Sequence, residues 1–238
     1  MKLVSSLKIN GTEQKLVSDY CRLQLSRPGS ATFVIETDEA ITEQSIVLYS
    51  LGYSDDDDIF PATIGFVHLC QEVEPGIYKV ICKELSALLE IEAKFYLRHV
   101  TAKKLFQEIE KVSTLSFITT DLIRDYLQKK IPYFASIGRA LDAVNQFAAF
   151  GVPRGIWTQL PDGKIYWGSW DDSPFAKEEP IMLHPSWITS RKPEDRSFVI
   201  PTIPALRPGS KIQNDSMIID SLEIMGAKTV VRWLKINA

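Results

Sequence analysis

The sequence predicts an α+β fold in which two small antiparallel β-barrel modules are separated by a helical α/β insert. Residues 1–83 alternate short apolar runs with turn residues, residues 84–154 place apolar side chains at helical spacing, and residues 155–238 return to short apolar runs. Several short strands with frequent turns are typical of small barrels, whereas apolar spacings of three and four are typical of helices.

The first module, residues 1–83, is predicted to form about six strands in a closed or half-closed barrel. Asn10-Gly11 is a strong hairpin signal, and the run at 20–26 alternates polar and apolar side chains. Further turns are predicted at Arg27-Pro28-Gly29-Ser30 and Glu74-Pro75-Gly76. The predicted strands are residues 3–9, 20–26, 31–36, 45–49, 60–69 and 77–82.

Several residues of this module are candidates for metal ligands, and none forms a convincing set. Asp55-Asp56-Asp57-Asp58 lacks the alternating ligands and the glycine of a calcium loop, so a solvated hairpin tip is favoured. His68 has no second ligand at a suitable spacing and is predicted to be a half-buried strand residue. The three cysteines are odd in number and widely spaced, which favours buried free thiols over disulfides or a metal site; they are Cys21, Cys70 and Cys82. No metal or cofactor is predicted.

The insert, residues 84–154, is predicted to be mainly helical. Thr101 is placed to cap a helix whose apolar stripe contains Leu105, Phe106 and Ile109. The predicted elements before the last helix are a short helix at 84–90, a strand at 91–97, this capped helix at 102–112 and a third helix from about 120 to 129.

The last helix of the insert is predicted to begin at Ser136, whose hydroxyl can accept a backbone N–H. Gly151 is a natural left-handed stop, and Pro153 prevents the helix from resuming. The apolar stripe is Ile137, Leu141, Val144 and Ala148.

The second module, residues 155–238, is predicted to begin with an aromatic hairpin at 156–170, turned by Pro161-Asp162-Gly163. A proline-rich connection follows at 171–196, with one extended piece at 181–183. The final strands are predicted at 198–203, 211–213, 217–225 and 228–234. A turn at 207–210 repeats the Arg-Pro-Gly-Ser tetrapeptide of residues 27–30, and Gly226 suits a tight hairpin tip.

Four tryptophans are candidate interface residues, because aromatic side chains are enriched at interface hot spots: Trp157, Trp167, Trp170 and Trp187. Strand alternation places Tyr166 on the opposite face from Trp167. Ordinary core packing remains an equal interpretation for Trp157 and Trp167, so exposure is assigned to Trp170 and Trp187. His184 and Trp187 can also be interpreted as a ligand-binding pair, although a loop anchored by one aromatic residue is favoured.

Composition narrows the functional classes. The 238 residues carry a net charge of −3, with 45% hydrophobic and 24% charged residues, as in an ordinary soluble protein. Such a charge gives no basic field for nucleic acid. The first residues do not resemble a secretory signal, and no apolar run is long enough to span a membrane. We therefore expect a protein of a reducing cytoplasm, or of a particle assembled there.

The order of these segments resembles the late control protein D family of phage tails, which includes the 43 kDa tail (baseplate hub) proteins of Mu-like prophages. SRPGSATFVIETD and SIVLYSLGY resemble the first tube-type barrel, and IPALRPGSKI resembles the opening of the second. IFPATIGFVHLCQEVEPGIYKVICKELSALLE resembles the next strands of the first barrel and the short helix that follows them. FYLRHVTAKKLFQEIEKV, IPYFASIGRALDAVNQFA and WTQLPDGKIYWGSW resemble the insert and the hairpin.

The resemblance implies a structural protein of the tail baseplate, without catalytic residues or cofactors. Three copies with two barrels each would form a six-fold-like ring that meets the hexameric tail tube or a distal tail protein on one side. The trimeric spike or fibre would be met on the other side, and DNA would pass through the channel without specific binding. Family members are longer, so either outer domains are missing or this is a minimal version.

Two other functions remain open. A carbohydrate- or receptor-binding β-module would use the tryptophan-rich hairpin and the 171–196 connection as its platform. A cell-wall hydrolase would need a carboxylate pair, a Cys/His pair or a zinc set, and the sequence offers only three scattered histidines.

Overall fold

Antiparallel strands dominate the computed structural model, which describes residues 2–54, 59–118, 128–212 and 217–235. The strands of the amino-terminal part are β1 (Leu3–Ile9), β2 (Thr12–Glu13), β3 (Lys15–Gln24), β4 (Arg27–Glu36), β5 (Ile46–Tyr53), β6 (Ile59–Glu74) and β7 (Ile77–Glu84). Those of the middle part are β8 (Phe95–Val100), β9 (Phe117–Ile118), β10 (Ile131–Ser136), β11 (Gly155–Gln159) and β12 (Ile165–Ser169). Those of the carboxy-terminal part are β13 (Ser190–Lys192), β14 (Ser197–Pro201), β15 (Lys211–Ile212), β16 (Met217–Met225) and β17 (Lys228–Lys235).

The amino- and carboxy-terminal strands join in one twelve-stranded sheet. Its order is β13-β14-β17-β16-β3-β4-β7-β6-β5-β1-β2, and β15 pairs with β16. The two parts meet where β3 pairs with β16, with Leu23 opposite Leu222 and Cys21 opposite Ile224. The predicted strand-rich ends of the chain are therefore confirmed, but they are hydrogen-bonded into one sheet instead of lying in two separate ones.

One hydrophobic core lies beneath this sheet and draws on both ends of the chain. Its buried side chains include Leu7, Phe33, Tyr49, Phe198, Leu222 and Val231. A carboxylate connects three parts of the sheet around this core. Asp19 Oδ2 accepts the hydroxyl proton of Tyr49 at 2.6 Å and the backbone N–H of Gly226 at 3.2 Å. The tip of the β16–β17 hairpin is thereby fixed to β3 and β5.

Most predicted turns are confirmed. Asn10-Gly11 turns β1 into β2, Pro75-Gly76 joins β6 to β7, and Gly226 lies at the β16–β17 tip. The predicted turn at 27–30 is wrong, because these residues are the first of β4. The chain reverses one step earlier, where Ser26 has φ 56° and its N–H donates to the Trp157 carbonyl at 2.8 Å.

The described residues of the insert contain fewer helical residues than the sequence predicts for them. Within these residues the helices are α1 (Ala102–Ser113), α2 (Ala140–Val144) and α3 (Phe147–Phe150), preceded by a 3-10 helix at Leu85–Glu90. The cap predicted at Thr101 is confirmed, since its Oγ1 accepts the Lys104 N–H at 3.2 Å. The strand predicted at 91–97 forms slightly later, as β8, and pairs with β10.

The long helix predicted from Ser136 is wrong. Ser136 is the last residue of β10, and Ile137 is 68% exposed. The helix begins only at Ala140, after Gly138 with φ 129°, and the Arg139 N–H donates to Asp142 Oδ2 at 2.8 Å. The stop at Gly151, with φ 71°, is confirmed. The pairing of β10 with β8 therefore extends to Ser136, the residue at which the helical pattern had predicted the helix to begin.

The hairpin is confirmed, and its surroundings differ from the prediction. β11 and β12 pair with each other, and β12 pairs in parallel with β9 of the insert. They form a separate three-stranded sheet instead of completing a barrel with the carboxy-terminal strands. One face of the hairpin packs into the insert, which explains this pairing. The connection that follows contains α4 (Pro174–Lys177) and an isolated bridge between Ile181 and Ile212.

Three predictions lie outside the described residues, wholly or in part. These are the hairpin tip at Asp55–Asp58, most of the helix at 120–129, and the end of the strand at 211–213.

Candidate interface

The tryptophans on the inner face of the hairpin are core residues. Trp157 and Trp167 are opposite each other in the β11–β12 ladder, and both are essentially inaccessible. Their ring nitrogens are satisfied, because Trp157 Nε1 donates to Asn145 Oδ1 and Trp167 Nε1 donates to the Val144 carbonyl, each at 2.8 Å. Trp167 also stacks on Phe147 at 5.0 Å. These residues match the core interpretation and are closed to a partner.

The outer face of the hairpin attaches it to the large sheet. Tyr166 packs on the opposite face of the hairpin from Trp167, as strand alternation predicts. With Trp170 it contacts Leu25 and Ile218. Trp170 Nε1 donates to the Gly209 carbonyl at 2.9 Å. The exposure predicted for Trp170 is therefore wrong, because the 207–210 turn and the sheet cover its ring.

Trp187 is the exposed member of the four candidates, as predicted. It is 45% accessible and lies in a 3-10 helix, Pro185–Trp187, that His184 caps by accepting the Ser186 N–H through Nδ1. Met182 nearby in sequence is 64% accessible. The part played by Trp187 at an interface remains a prediction.

The two ends of the large sheet present further candidate contact surfaces. β2 covers only Lys8 and Ile9 of β1. The Gln14 N–H donates to the Leu7 carbonyl at 2.8 Å, and beyond it the outer edge of Leu3–Ser6 faces no other strand of the described residues. At the other end, all three residues of the short strand β13 are exposed. Unpaired edges are surfaces on which another strand can add.

The junction between the sheet, the insert and the hairpin contains a buried acid that sequence reasoning missed. Glu84 Oε2 accepts the Gly29 N–H at 2.7 Å, and its carboxyl also contacts the Thr63 and Ser86 hydroxyls at 3.4 Å. Burial raises the pKa of Glu84 to about 7, against the lowering effect of these hydrogen bonds and of the nearby Arg207 charge. The sequence around Glu84, a single acid after an apolar strand, contains no pattern that predicts its burial.

Gln159 of the hairpin completes the junction. Its Oε1 accepts the Ser86 N–H at 2.8 Å, and its Nε2 donates to the Ile64 carbonyl at 2.7 Å. Because one amide side chain connects β6 with the 3-10 helix of the insert, the hairpin is held in register with both.

The remaining candidates for metal or thiol chemistry are scattered. Burial of Cys21 and Cys82 is confirmed, and Cys70 is half-buried. His68 is exposed instead of half-buried, and it lies at a register shift between Val67 and Leu69 in the β6–β7 ladder. Among residues 2–54, 59–118, 128–212 and 217–235, no three His, Cys, Asp or Glu side chains are grouped as metal ligands would be. None of the helices in these ranges has the length and apolar character to cross a membrane.

This arrangement is a fold shared with solved phage tail proteins and with a component of a type VI secretion system. The chain is similar to the 43 kDa tail protein of prophage MuSo2 from Shewanella oneidensis, with a TM-score of 0.66, 10% identity, and coverage of 99% of this chain and 98% of that chain. The resemblance to the Mu-like 43 kDa tail proteins is thereby confirmed for the fold.

Two further solved structures share the fold. A tail protein from Neisseria meningitidis MC58 matches with a TM-score of 0.66 and 11% identity, covering 99% of this chain and 97% of that chain. An E. coli component of the type VI secretion system, described as structurally similar to T4 bacteriophage tail proteins, matches with a TM-score of 0.61 and 14% identity. That match covers 97% of this chain and 77% of the other.

One sequence relative comes from a phage. An uncharacterized 58.7 kDa protein of Haemophilus phage HP1 is 25% identical over 227 residues, which are 95% of this chain and 41% of that protein. The chain thus spans about two fifths of the length of this relative. No family model matches the chain.

Proposed function

We propose that this chain is a structural protein of a phage tail baseplate, in which three copies form a ring with six-fold-like symmetry. The observation that carries the proposal is a fold shared over almost the whole length of two tail proteins. In this proposal the segments 1–83 and 155–238 supply two similar β units per subunit, and residues 84–154 form the insert between them.

A closed ring requires heterologous contacts, in which one surface of a subunit meets a different surface of the next. The large sheet offers two such surfaces, because its β1–β2 end and its β13 end are different and both accessible. Strand edges that risk aggregation in a monomer would serve as pairing surfaces between subunits.

The ring would adapt a hexameric tail tube, or a distal tail protein, to a trimeric central spike or fibre. DNA would pass through its channel, and the net charge of −3 supports passage without adhesion. The protein would belong to the virion tail, after assembly in the host cytoplasm, and would act as a scaffold instead of an enzyme.

Symmetry is the direct test of this proposal. Light scattering of the purified protein is expected to give three times the chain mass of 26.9 kDa. Projection averages from electron microscopy are expected to show a ring with three-fold symmetry and six similar densities. A stable monomer at high concentration, or a ring of another order, would overturn the adaptor proposal.

A carbohydrate- or receptor-binding module is the second candidate. The exposed ring of Trp187 favours it, because an accessible aromatic ring can stack on a sugar ring. The other three candidate tryptophans are buried, so they are not available to bind a carbohydrate on the surface that the sequence suggested. Glycan-array binding by a monomer, lost on Trp187→Ala substitution, would support this function over the ring.

A further inference from the structure

The outer side of the two-stranded β8–β10 sheet exposes aromatic and cationic side chains. In its antiparallel ladder, Tyr96 lies opposite Ala135 and Tyr133 lies opposite Arg98. All four residues are exposed, whereas Phe134 and the other inward-facing residues of the two strands pack into the core of the insert. One side of this small sheet is therefore covered and the other is open.

The same register extends the open side beyond the ends of the strands. The Ala93 N–H donates to the Gly138 carbonyl at 2.7 Å, which places Lys94 opposite Ile137. The open side thus consists of three rows of paired residues, which we call the insert face: Lys94 with Ile137, Tyr96 with Ala135, and Arg98 with Tyr133.

The insert face concentrates exposed apolar surface. Ile137, Tyr133 and Tyr96 are 68%, 61% and 60% exposed. Among the described residues, Met182 is the one other large apolar side chain exposed to this extent. A cluster of exposed apolar side chains marks an interaction site, and tyrosine and arginine are enriched where binding energy is concentrated.

The two cations of the insert face lack an anionic partner in the part of the chain that the structure describes. Lys94 and Arg98 there have no carboxylate within ion-pairing distance, and their side chains donate no hydrogen bond. Glu92 lies at the end of the face, opposite Arg139. The insert face therefore suits an occupant that presents carboxylates next to an apolar side chain.

The tip of the β6–β7 hairpin presents this combination. Glu72, Val73 and Glu74, which we call the acidic tip, are all exposed. Val73 lies at a register shift in the β6–β7 ladder and is 50% accessible. Neither glutamate forms an ion pair within the described ranges. An apolar side chain is thus flanked by two carboxylates that are free to pair.

The surroundings of the acidic tip add to its negative charge. The Thr37 N–H donates to the Gly76 carbonyl at 3.0 Å, which brings the exposed Asp38 and Glu39 to this end of the sheet. Lys79 is an exposed cation on the adjoining strand and offsets one of these charges. The end of the hairpin therefore carries a net negative charge.

The acidic tip and the insert face of one copy lie at opposite ends of β7. This strand runs from Ile77, beside the tip, to Glu84, after which the insert begins. Its length is about 23 Å at the usual rise of a strand. A contact between the two surfaces therefore joins two copies, and it is the heterologous kind of contact that a closed ring requires.

We propose that the insert face of one copy binds the acidic tip of the next copy. The two cations of the face pair with the two glutamates, and Val73 packs against the tyrosine rings. This contact rests on the ring proposed above and names one of its interfaces.

Charge reversal tests the contact in the full chain. Lys94→Glu combined with Arg98→Glu is expected to weaken self-association about a hundredfold, because like charges then meet across the interface. Sedimentation equilibrium measures this loss. Lys103→Glu combined with Lys228→Glu is the matched control, since it reverses two exposed cations elsewhere and should leave the association unchanged.

A second reversal guards against a folding artefact. Adding Glu72→Lys and Glu74→Lys to the reversed variant restores opposite charges across the contact. Self-association is expected to recover by at least about tenfold, as paired reversals do for residues in direct contact. All the substituted residues are exposed, so circular dichroism should stay unchanged throughout.

Cross-linking tests the proximity of the two surfaces. In a Cys70→Ser background, Val73→Cys combined with Ala135→Cys is expected to give disulfide-linked copies on mild oxidation, and neither single variant should do so. A trimer that the double reversal leaves intact overturns this contact and leaves the ring standing, whereas a monomeric wild type overturns both. A folded four-site variant that fails to recover overturns the acidic tip as occupant and assigns the insert face to a different acidic partner.

Discussion

The backbone N–H of Gly29 donates a 2.7 Å hydrogen bond to Oε2 of Glu84, and this bond joins the start of β4 to the end of β7. The approach leaves no room for a side chain, because a Cβ on Gly29 would lie 2.5 Å from Oε2 of Glu84 and 2.9 Å from the Arg22 carbonyl oxygen. Gly29 is therefore required for close packing.

Substituting Gly29 by alanine should destabilise the protein by about 1–3 kcal/mol, because the new methyl group displaces a buried carboxyl and backbone. Urea denaturation of the variant measures this loss. Ser30→Ala, on the exposed neighbouring position of the same strand, is the control and should change stability little. Equal stabilities of the two variants would contradict the close packing at Gly29.

The stability of the protein should fall as the pH rises from about 5 to about 8. Burial raises the pKa of Glu84 to about 7 from an ordinary value of 4.5, so the folded state holds this proton more tightly than the unfolded state. The stabilisation is present at low pH and is lost as the carboxyl ionises through pH 7, by an amount on the order of 3 kcal/mol.

Glu84→Gln should remove this part of the pH dependence. Denaturation midpoints measured at pH 5 and pH 8 give the comparison, with Glu90→Gln as the control at a mostly exposed acid that pairs with Lys83. If wild type and Glu84→Gln lose stability in parallel over this range, the ionisation of Glu84 is not its source.

Trp167→Ala should destabilise the protein by about 3–5 kcal/mol, because it opens a cavity among Phe106, Phe147 and Phe150. Thermal and chemical denaturation measure the loss. Trp187→Ala removes an exposed ring and should leave stability within about 0.5 kcal/mol of wild type. A matching loss in the Trp187 variant would mean that its ring packs more closely than its exposure indicates.

Tyr49→Phe should cost about 1–3 kcal/mol, since it removes a 2.6 Å hydrogen bond to a carboxylate that also accepts the Gly226 N–H. Tyr78→Phe is the matched control, because Tyr78 is half-buried and its hydroxyl makes no hydrogen bond among the described residues. Hydrogen exchange at the β16–β17 tip provides a second measurement, and should accelerate only in the Tyr49 variant.

One of the three thiols should react with a disulfide reagent in the native protein. Cys70 is half-buried, whereas Cys21 and Cys82 are buried, and burial raises the pKa of Cys82 to about 12. Titration with Ellman's reagent is expected to give one rapid equivalent in buffer and three in denaturant. Cys70→Ser should abolish the rapid phase, and its persistence would show that another thiol is accessible.

Local patterns were sufficient for much of the secondary structure. Asn10-Gly11 and Thr101 specify their turn and cap through short-range hydrogen bonds, so sequence alone predicts them. The region around Ser136 shows where such patterns fail. Ile137, Leu141 and Val144 have helical spacing, yet pairing of β10 with β8 and the backbone of Gly138 delay the helix to Ala140.

The environment of the candidate site is determined mainly by contacts between residues that are far apart in the sequence, so it was harder to predict. The burial of Trp170 comes from Gly209, 39 residues later, and the environment of Glu84 comes from Gly29 and Arg207. No periodicity within one segment encodes these partners. The two copies of the Arg-Pro-Gly-Ser tetrapeptide both act on this carboxyl, one through the Gly29 N–H and the other through the charge of Arg207.

The pairing of β3 with β16 also bears on how the chain folds during synthesis. About 190 residues must emerge from the ribosome after β3 before its partner strand exists, because β3 ends at Gln24 and β16 begins at Met217. Until then one edge of the nascent sheet lacks its native neighbour, and such edges recruit other chains. Fragments that stop before β16 are therefore expected to aggregate, and slow translation would favour chaperone capture of the early strands.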